Sequence, residues 1–218
     1  MLSLNPSSDT NQPASLKCLE TSLSLLYINY NKLVEYLLII SPPDIIKNDV
    51  AWYKDWLAKQ IGYYDARFSM AHLTIAAFLL ARSKEKALLR SLKDAIAEES
   101  SITFNITGFD VFYPNNTLFL KIKERESFSK VSKNINRKSV LSGIPSRFKS
   151  LTYVPHLTIG KNLNNNFHSA YRLLKDKSYT QTFTAQSALL LKKERDKNFM
   201  PIQEFPFLAR PGRQLTLF

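Results

Sequence analysis

Apolar and polar positions follow two rhythms along this chain. Residues 34–40 are almost continuously apolar, which predicts a buried strand. Ser41-Pro42-Pro43 ends it, because proline cannot donate to a ladder. Ser41 is placed to cap a following helix, Pro42 suits a first turn, and Asp44 favours the positive end of the helix dipole. Ile46, Val50, Tyr53 and Leu57 then recur at helical spacing up to Ile61. A second strand is predicted over 68–80, followed by a helix opening at Ser83 with Leu88, Leu89, Leu92 and Ile96 on one side. Ile102, Phe104 and Ile106 alternate with polar residues, and Leu118, Leu120 and Ile122 do the same beyond a Pro114-Asn115-Asn116 turn, which predicts a hairpin. Residues 127–139 carry a helical stripe of Phe128, Val131 and Ile135. Residues 142–150 read as a basic loop, 152–161 as a strand, and Phe167, Ala170, Tyr171 and Leu174 as a helix; 183–192 and 202–208 supply the last strands.

This order predicts an α+β fold with antiparallel sheets. Its two halves hold similar parts, which gives two pseudo-symmetric lobes, each a sheet with helices on its outer face, flanking a central cleft. No composition break marks a linker, so both lobes belong to one domain over 32–218. Residues 1–15 are rich in Ser, Asn, Pro and Thr and read as a disordered lead; 16–30 carries Leu and Tyr at mixed spacing, compatible with an added helix. Residues 1–31 are therefore set apart as an extension.

Composition narrows the class. With 44% hydrophobic and 22% charged residues the chain is globular rather than disordered or fibrous. Lys and Arg total 30 against 18 acids, a net charge of +12, which favours polyanionic partners such as RNA. A basic surface without a partner remains the plainer reading. The single cysteine, Cys18, excludes an internal disulfide and a cysteine zinc cage, and a reducing cytoplasm is the expected home. The longest apolar runs are too short to span a bilayer, so no membrane association is expected.

The candidate chemistry lies in a repeat. His72-Leu73-Thr74-Ile75 and His156-Leu157-Thr158-Ile159 are identical tetrapeptides, and each falls in a predicted strand. A strand alternates its faces, so His and Thr share one face while Leu and Ile anchor the other. Two such strands related by a pseudo-two-fold bring two imidazoles and two hydroxyls to one cleft. That set suits attack on a phosphodiester. One imidazole takes a proton from the nucleophile, the other gives one to the leaving oxygen, and the hydroxyls donate to the non-bridging oxygens. Imidazole fits both roles because its ordinary pKa is about 6.5.

The doubled His-x-Thr resembles the signature of the 2H phosphoesterase superfamily, which includes bacterial 2′-5′ RNA ligase-like proteins and cyclic phosphodiesterases. Val154-Pro155-His156 and the tail Phe199-Met200-Pro201-Ile202-Gln203-Glu204-Phe205-Pro206-Phe207 strengthen it. The resemblance implies that His72 and His156 are the catalytic pair and that Thr74 and Thr158 bind phosphate. It further implies work without metal or other cofactor on 2′,3′-cyclic phosphates, 2′-5′ linkages or RNA ends. A monomer is expected. The alternative is an RNA- or nucleotide-binding module of the same fold with little catalysis.

Other residues admit two readings. Lys161 either meets a phosphate at the mouth of the cleft or is solvated surface. Tyr153 and Phe109 either stack on a base or pack. Arg137, Lys138, Arg147 and Lys149 either track an RNA backbone or form an exposed helix end and loop. His168 is expected at the surface or as a cap, and Trp52 and Trp56 as packing. A zinc site finds no third ligand near either motif.

Overall fold

A computed structural model describes residues 33–195 and 197–211. The predicted 1–31 extension, with its lead and its added helix, lies outside them. Nine strands are described: β1 Leu33–Ile40, β2 Leu73–Ala81, β3 Ile102–Phe112, β4 Thr117–Ile122, β5 Lys149–Leu151, β6 His156–Gly160, β7 Thr180–Ala185, β8 Ser187–Lys193 and β9 Met200–Pro206. Four α-helices join them: α1 Asp44–Ile61, α2 Glu85–Ala97, α3 Arg125–Lys138 and α4 Phe167–Leu174.

The strands form two antiparallel sheets, ordered β5-β2-β1-β8-β9 and β6-β4-β3-β7, the two lobes of an α+β fold. The lobes do not correspond to the two halves of the chain. The first sheet takes β1 and β2 from early in the sequence, then β5, β8 and β9 from late in it. The second takes the β3–β4 hairpin together with β6 and β7. The second motif thus joins the central hairpin, with β6 pairing β4 from Lys121↔His156 to Leu118↔Gly160.

Local differences from the sequence reading have physical causes. The predicted 68–80 strand starts only at Leu73, because Asp65–Phe68 winds into a 3-10 turn. Ser41 does not cap α1; the helix begins after Pro43, with no side-chain cap. The predicted 183–192 strand is two strands meeting at Gln186, and β7 and β8 belong to different sheets. The predicted basic loop contains two 3-10 turns and the short edge strand β5, which pairs with β2.

A bulge sets the phase of β3. Its register with β4 shifts between Ile106 and Phe109, and Gly108 sits there at φ 68°, where glycine alone carries no steric cost. Before the bulge Ile102, Phe104 and Ile106 face the core; after it Phe109 does, opposite Leu120. Strict alternation would have turned Phe109 outward. Phe104 meets Phe128 of α3 and Phe183 of β7, while Leu38, Ile40, Leu73 and Ile75 are wholly buried from the first sheet. Each such side chain contributes roughly 1.5–3 kcal/mol by leaving water.

The bulged strand is tied to the turn after β4. The Glu124 carboxylate accepts from the Asn105 backbone N–H and side-chain amide, both at 2.7 Å. Glu124→Ala leaves those half-buried donors without their carboxylate. We expect a loss of about 1–3 kcal/mol in urea unfolding, with the denaturant slope unchanged.

Candidate active site

Both motifs begin at strand starts: His72 directly precedes β2 and His156 opens β6. The alternation is as the sequence predicts. Leu73, Ile75, Leu157 and Ile159 are fully buried, while His72, Thr74, His156 and Thr158 are half-buried on the opposite faces. Strand β2 packs against β6. The two imidazoles are near enough for the charge of His156 to act on His72.

The rings are held in the same way. His72 Nδ1 lies 2.8 Å from the carbonyl oxygen of Met70, and His156 Nδ1 lies 2.9 Å from that of Val154. Each acceptor is two residues upstream. A carbonyl can only accept, so each Nδ1 carries hydrogen and donates it. The second nitrogen, Nε2, has no hydrogen bond to a described residue in either ring and is chemically able to take or give a proton. Burial pushes both imidazoles below their ordinary value, against the opposing pull of those carbonyl bonds. The surroundings then differ. His72 also feels the positive charges of Lys54 and His156, whereas His156 feels Lys161.

The second sheet provides an aromatic wall. Phe112 and Phe119 stack at 4.2 Å, and their rings lie 5.1 and 5.3 Å from that of His156. Lys121 stands opposite His156 in the ladder and is 3.8 Å from Asp110. The bulge places Asp110 and Phe112 on this face, where alternation from Phe104 would have hidden them. On the first sheet, His72 borders a cavity of about 540 Å³. Leu37 and Ile39 of β1 and Leu189 and Leu191 of β8 line it, with Phe68, Phe199 and Lys47; His156 does not.

Beneath the turn that leads into His72 lies Lys54, 1% exposed, on α1. Its ammonium donates to Ser69 O at 2.6 Å and to Ser69 Oγ at 2.8 Å, and Tyr64 OH donates to its carbonyl at 3.0 Å. Burial lowers this lysine to about 8. It thus braces residues 65–70, including the Met70 carbonyl that orients His72.

The other sequence candidates divide. Lys161 is exposed just beyond β6 and its charge reaches His156. Tyr153 is exposed on the segment between β5 and β6, with Lys133 Nζ 5.5 Å from its ring. Phe109 is corrected: it is buried edge-on to Tyr53 at 5.0 Å, so it packs and presents no face to a base. The predicted basic stretch is not one track. Lys138 pairs with Glu98, Lys149 donates to Asn136 and to the Leu141 carbonyl, and Arg147 lies over Phe148. His168 is exposed on α4 against Phe167. Trp56 is half-buried, but Trp52 is 58% exposed, contrary to a packing role. Among the described residues no three His, Cys, Asp or Glu side chains gather in a metal-binding arrangement, and no helix is long and apolar enough to cross a membrane.

Sequence reasoning missed Phe112, Phe119, Lys54 and the cavity beside His72. Phe119 was open to detection, since Thr117, Phe119 and Lys121 alternate with Leu118, Leu120 and Ile122. Phe112 was hidden by the bulge, and Lys54 by its charge, since its spacing puts it on the buried stripe with Ile46, Val50 and Leu57.

Known proteins share this architecture. The apo form of E. coli LigT superposes with a TM-score of 0.60 at 12% identity, covering 80% of this chain and 98% of that one. TT0787 of Thermus thermophilus gives 0.59 at 12% identity, with the same coverage. LigT in complex with 3′-AMP gives 0.58 at 14%, also with the same coverage. Among curated sequences, a protein of Geobacillus sp. (strain WCH70) with phosphoesterase in its name is 30% identical over 106 residues, 47% of this chain and 58% of that protein. The match thus spans less than two thirds of that relative. One of Geobacillus kaustophilus (strain HTA426), similarly named, is 25% identical over 134 residues, 60% of this chain and 70% of that protein. The sequence model of the 2′-5′ RNA ligase superfamily matches residues 42–197, a span that takes in both His-Leu-Thr-Ile segments, and the chain belongs to that superfamily.

Proposed function

We propose that this protein is a metal-independent phosphodiesterase or RNA ligase-like enzyme that acts on 2′,3′-cyclic phosphates or 2′-5′ linkages of nucleotides and RNA. The observation that carries the reading is the matched pair of imidazoles, each fixed through Nδ1 to the carbonyl two residues upstream, with Nε2 free for proton transfer.

With a cyclic phosphate, one Nε2 takes a proton from water as its oxygen bonds to phosphorus. The bond from phosphorus to one ribose oxygen breaks, and the other imidazole protonates that oxygen, leaving a phosphomonoester and a free hydroxyl. The buried charge of Lys54 disfavours a proton on His72, which suits it to the base; Lys161 acts in the same direction on His156 but is exposed and more screened, which leaves the acid to His156. Thr74 and Thr158 share the imidazole faces and can donate to the non-bridging oxygens. The apolar cavity beside His72, rimmed by Phe68 and Phe199, fits a nucleoside. The complex of LigT with 3′-AMP is consistent with a nucleotide substrate here.

The test is hydrolysis of 2′,3′-cyclic AMP by the purified chain. Turnover should survive EDTA, and kcat/KM should trace a bell. Activity is lost at low pH when the base is protonated and at high pH when the acid is not. Burial lowers both imidazoles, so the optimum is expected on the acid side of the ordinary imidazole value, about 6.5. Activity abolished by chelator and restored by a divalent ion would reject the metal-free scheme. Tight binding of short RNA without turnover of any cyclic or 2′-5′ substrate would reject the enzyme in favour of a binding module.

A further inference from the structure

One face of α3 is a basic groove that takes only Arg137 from the stretch singled out in the sequence. Arg125, Lys133 and Arg137 follow one another along a ridge at steps that are multiples of four residues, with Lys130 on the adjoining ridge. Together with Tyr153 they line a groove of about 600 Å³ whose one acidic lining residue is Glu126. All four cations are exposed, and none forms an ion pair with a described residue. Among the described residues, the Arg137 side chain donates to Asn134 and Lys133 lies over the Tyr153 ring.

Tyr153 ties the groove to the candidate site along the chain. The residue before it, Thr152, donates its N–H to the Ile75 carbonyl at 3.0 Å, which continues the β2–β5 ladder beside Thr74. Three residues after it comes His156. Helix α3 is fixed to the same strand, with Ser132 Oγ 3.4 Å from the Ile75 carbonyl. A polyanion lying along α3 therefore meets, at Tyr153 opposite Lys133, the segment that joins both motifs. An exposed aromatic ring backed by a lysine suits an unstacked base, and spaced cations suit a phosphate chain.

We propose that the α3 groove holds the sugar–phosphate backbone of a single-stranded RNA whose cyclic-phosphate end lies between His72 and His156, with Tyr153 stacking on a base near that end. This rests on the reading of the two-histidine site above and adds the surface on which the rest of an RNA substrate lies.

The test compares two substrates, 2′,3′-cyclic AMP and a ten-nucleotide RNA ending in a 2′,3′-cyclic phosphate, on wild type and Lys130→Glu/Lys133→Glu. The variant should raise KM for the RNA at least about tenfold and leave the mononucleotide unchanged. The salt dependence of log KM for the RNA should flatten by roughly 0.7 per cation removed. Equal effects on both substrates, or none on the RNA, would overturn the proposal. Should neither substrate turn over, the site reading fails but the groove is still tested. Fluorescence anisotropy with a 3′-phosphorylated RNA decamer should then show the same loss of affinity in the variant. Unchanged binding, or an acidic peptide bound as tightly as the RNA, would overturn it. Circular dichroism melts of the variant establish that it is folded.

Discussion

His72→Ala and His156→Ala are each expected to lower turnover of a 2′,3′-cyclic nucleotide by roughly 10²–10⁴-fold, the usual worth of a positioned proton-transfer group. Both transfers belong to one displacement, so the double variant should be little worse than either single one. Neither substitution should unfold the chain, because both rings sit half-exposed at strand starts while Leu73, Ile75, Leu157 and Ile159 hold the strands from the buried side. Asparagine separates chemistry from scaffolding. Its side-chain amide can still donate to the Met70 or Val154 carbonyl, as each Nδ1 does now, but it has no nitrogen that titrates near neutrality. His156→Asn should therefore be as inactive as His156→Ala, with an unchanged melting temperature. Single-turnover rates with cyclic AMP measure this directly. Either alanine variant retaining about a tenth of wild-type turnover or more would remove that histidine from the proton path.

The motif strands were legible because their physics is local. A strand of His-Leu-Thr-Ile has one dry face and one polar face, and nothing distant changes that. The buried Leu and Ile and half-buried His and Thr of both copies follow from the sequence. The assembly around them depends on contacts that spacing does not encode. Which sheet receives β7 and which receives β8 turns on a single residue, Gln186, between two runs that read as one strand. The phase of β3 turns on Gly108: one extra residue reverses every side chain after it, sending Phe109 into the core and Phe112 to the face of His156. Charge misled in the same way. Of the cations picked out before the second motif, Lys138 and Lys149 are spent on Glu98, Asn136 and a backbone carbonyl, whereas Lys130 and Lys133, unremarkable in sequence, face an open groove.

Lys54 gives the other large effect, on stability and on the pH profile together. Its ammonium is almost wholly buried under the turn before His72, and burial lowers it from 10.5 to about 8. Below pH 8 it is protonated in both folded and unfolded chains, and the cost of burying its charge is constant. Between about 8 and 10 the unfolded chain still binds that proton and the folded chain does not, so stability rises with pH. The full shift corresponds to roughly 3 kcal/mol, which sets the upper size of the rise. Above pH 10 the direction reverses, because Tyr36, Tyr64 and Tyr179 are raised by burial and keep protons that the unfolded chain loses. Urea unfolding at steps from pH 7.5 to about 9.5 should show the rise in wild type and a much smaller one in Lys54→Met, where Lys149, also lowered by burial, still contributes. The same variant removes a positive charge near His72, so the acid limb of the kcat/KM bell should move to higher pH. A rise that persists in full in Lys54→Met assigns the titration to another group. A bell that does not move separates Lys54 from His72 and leaves it only the role of holding Ser69.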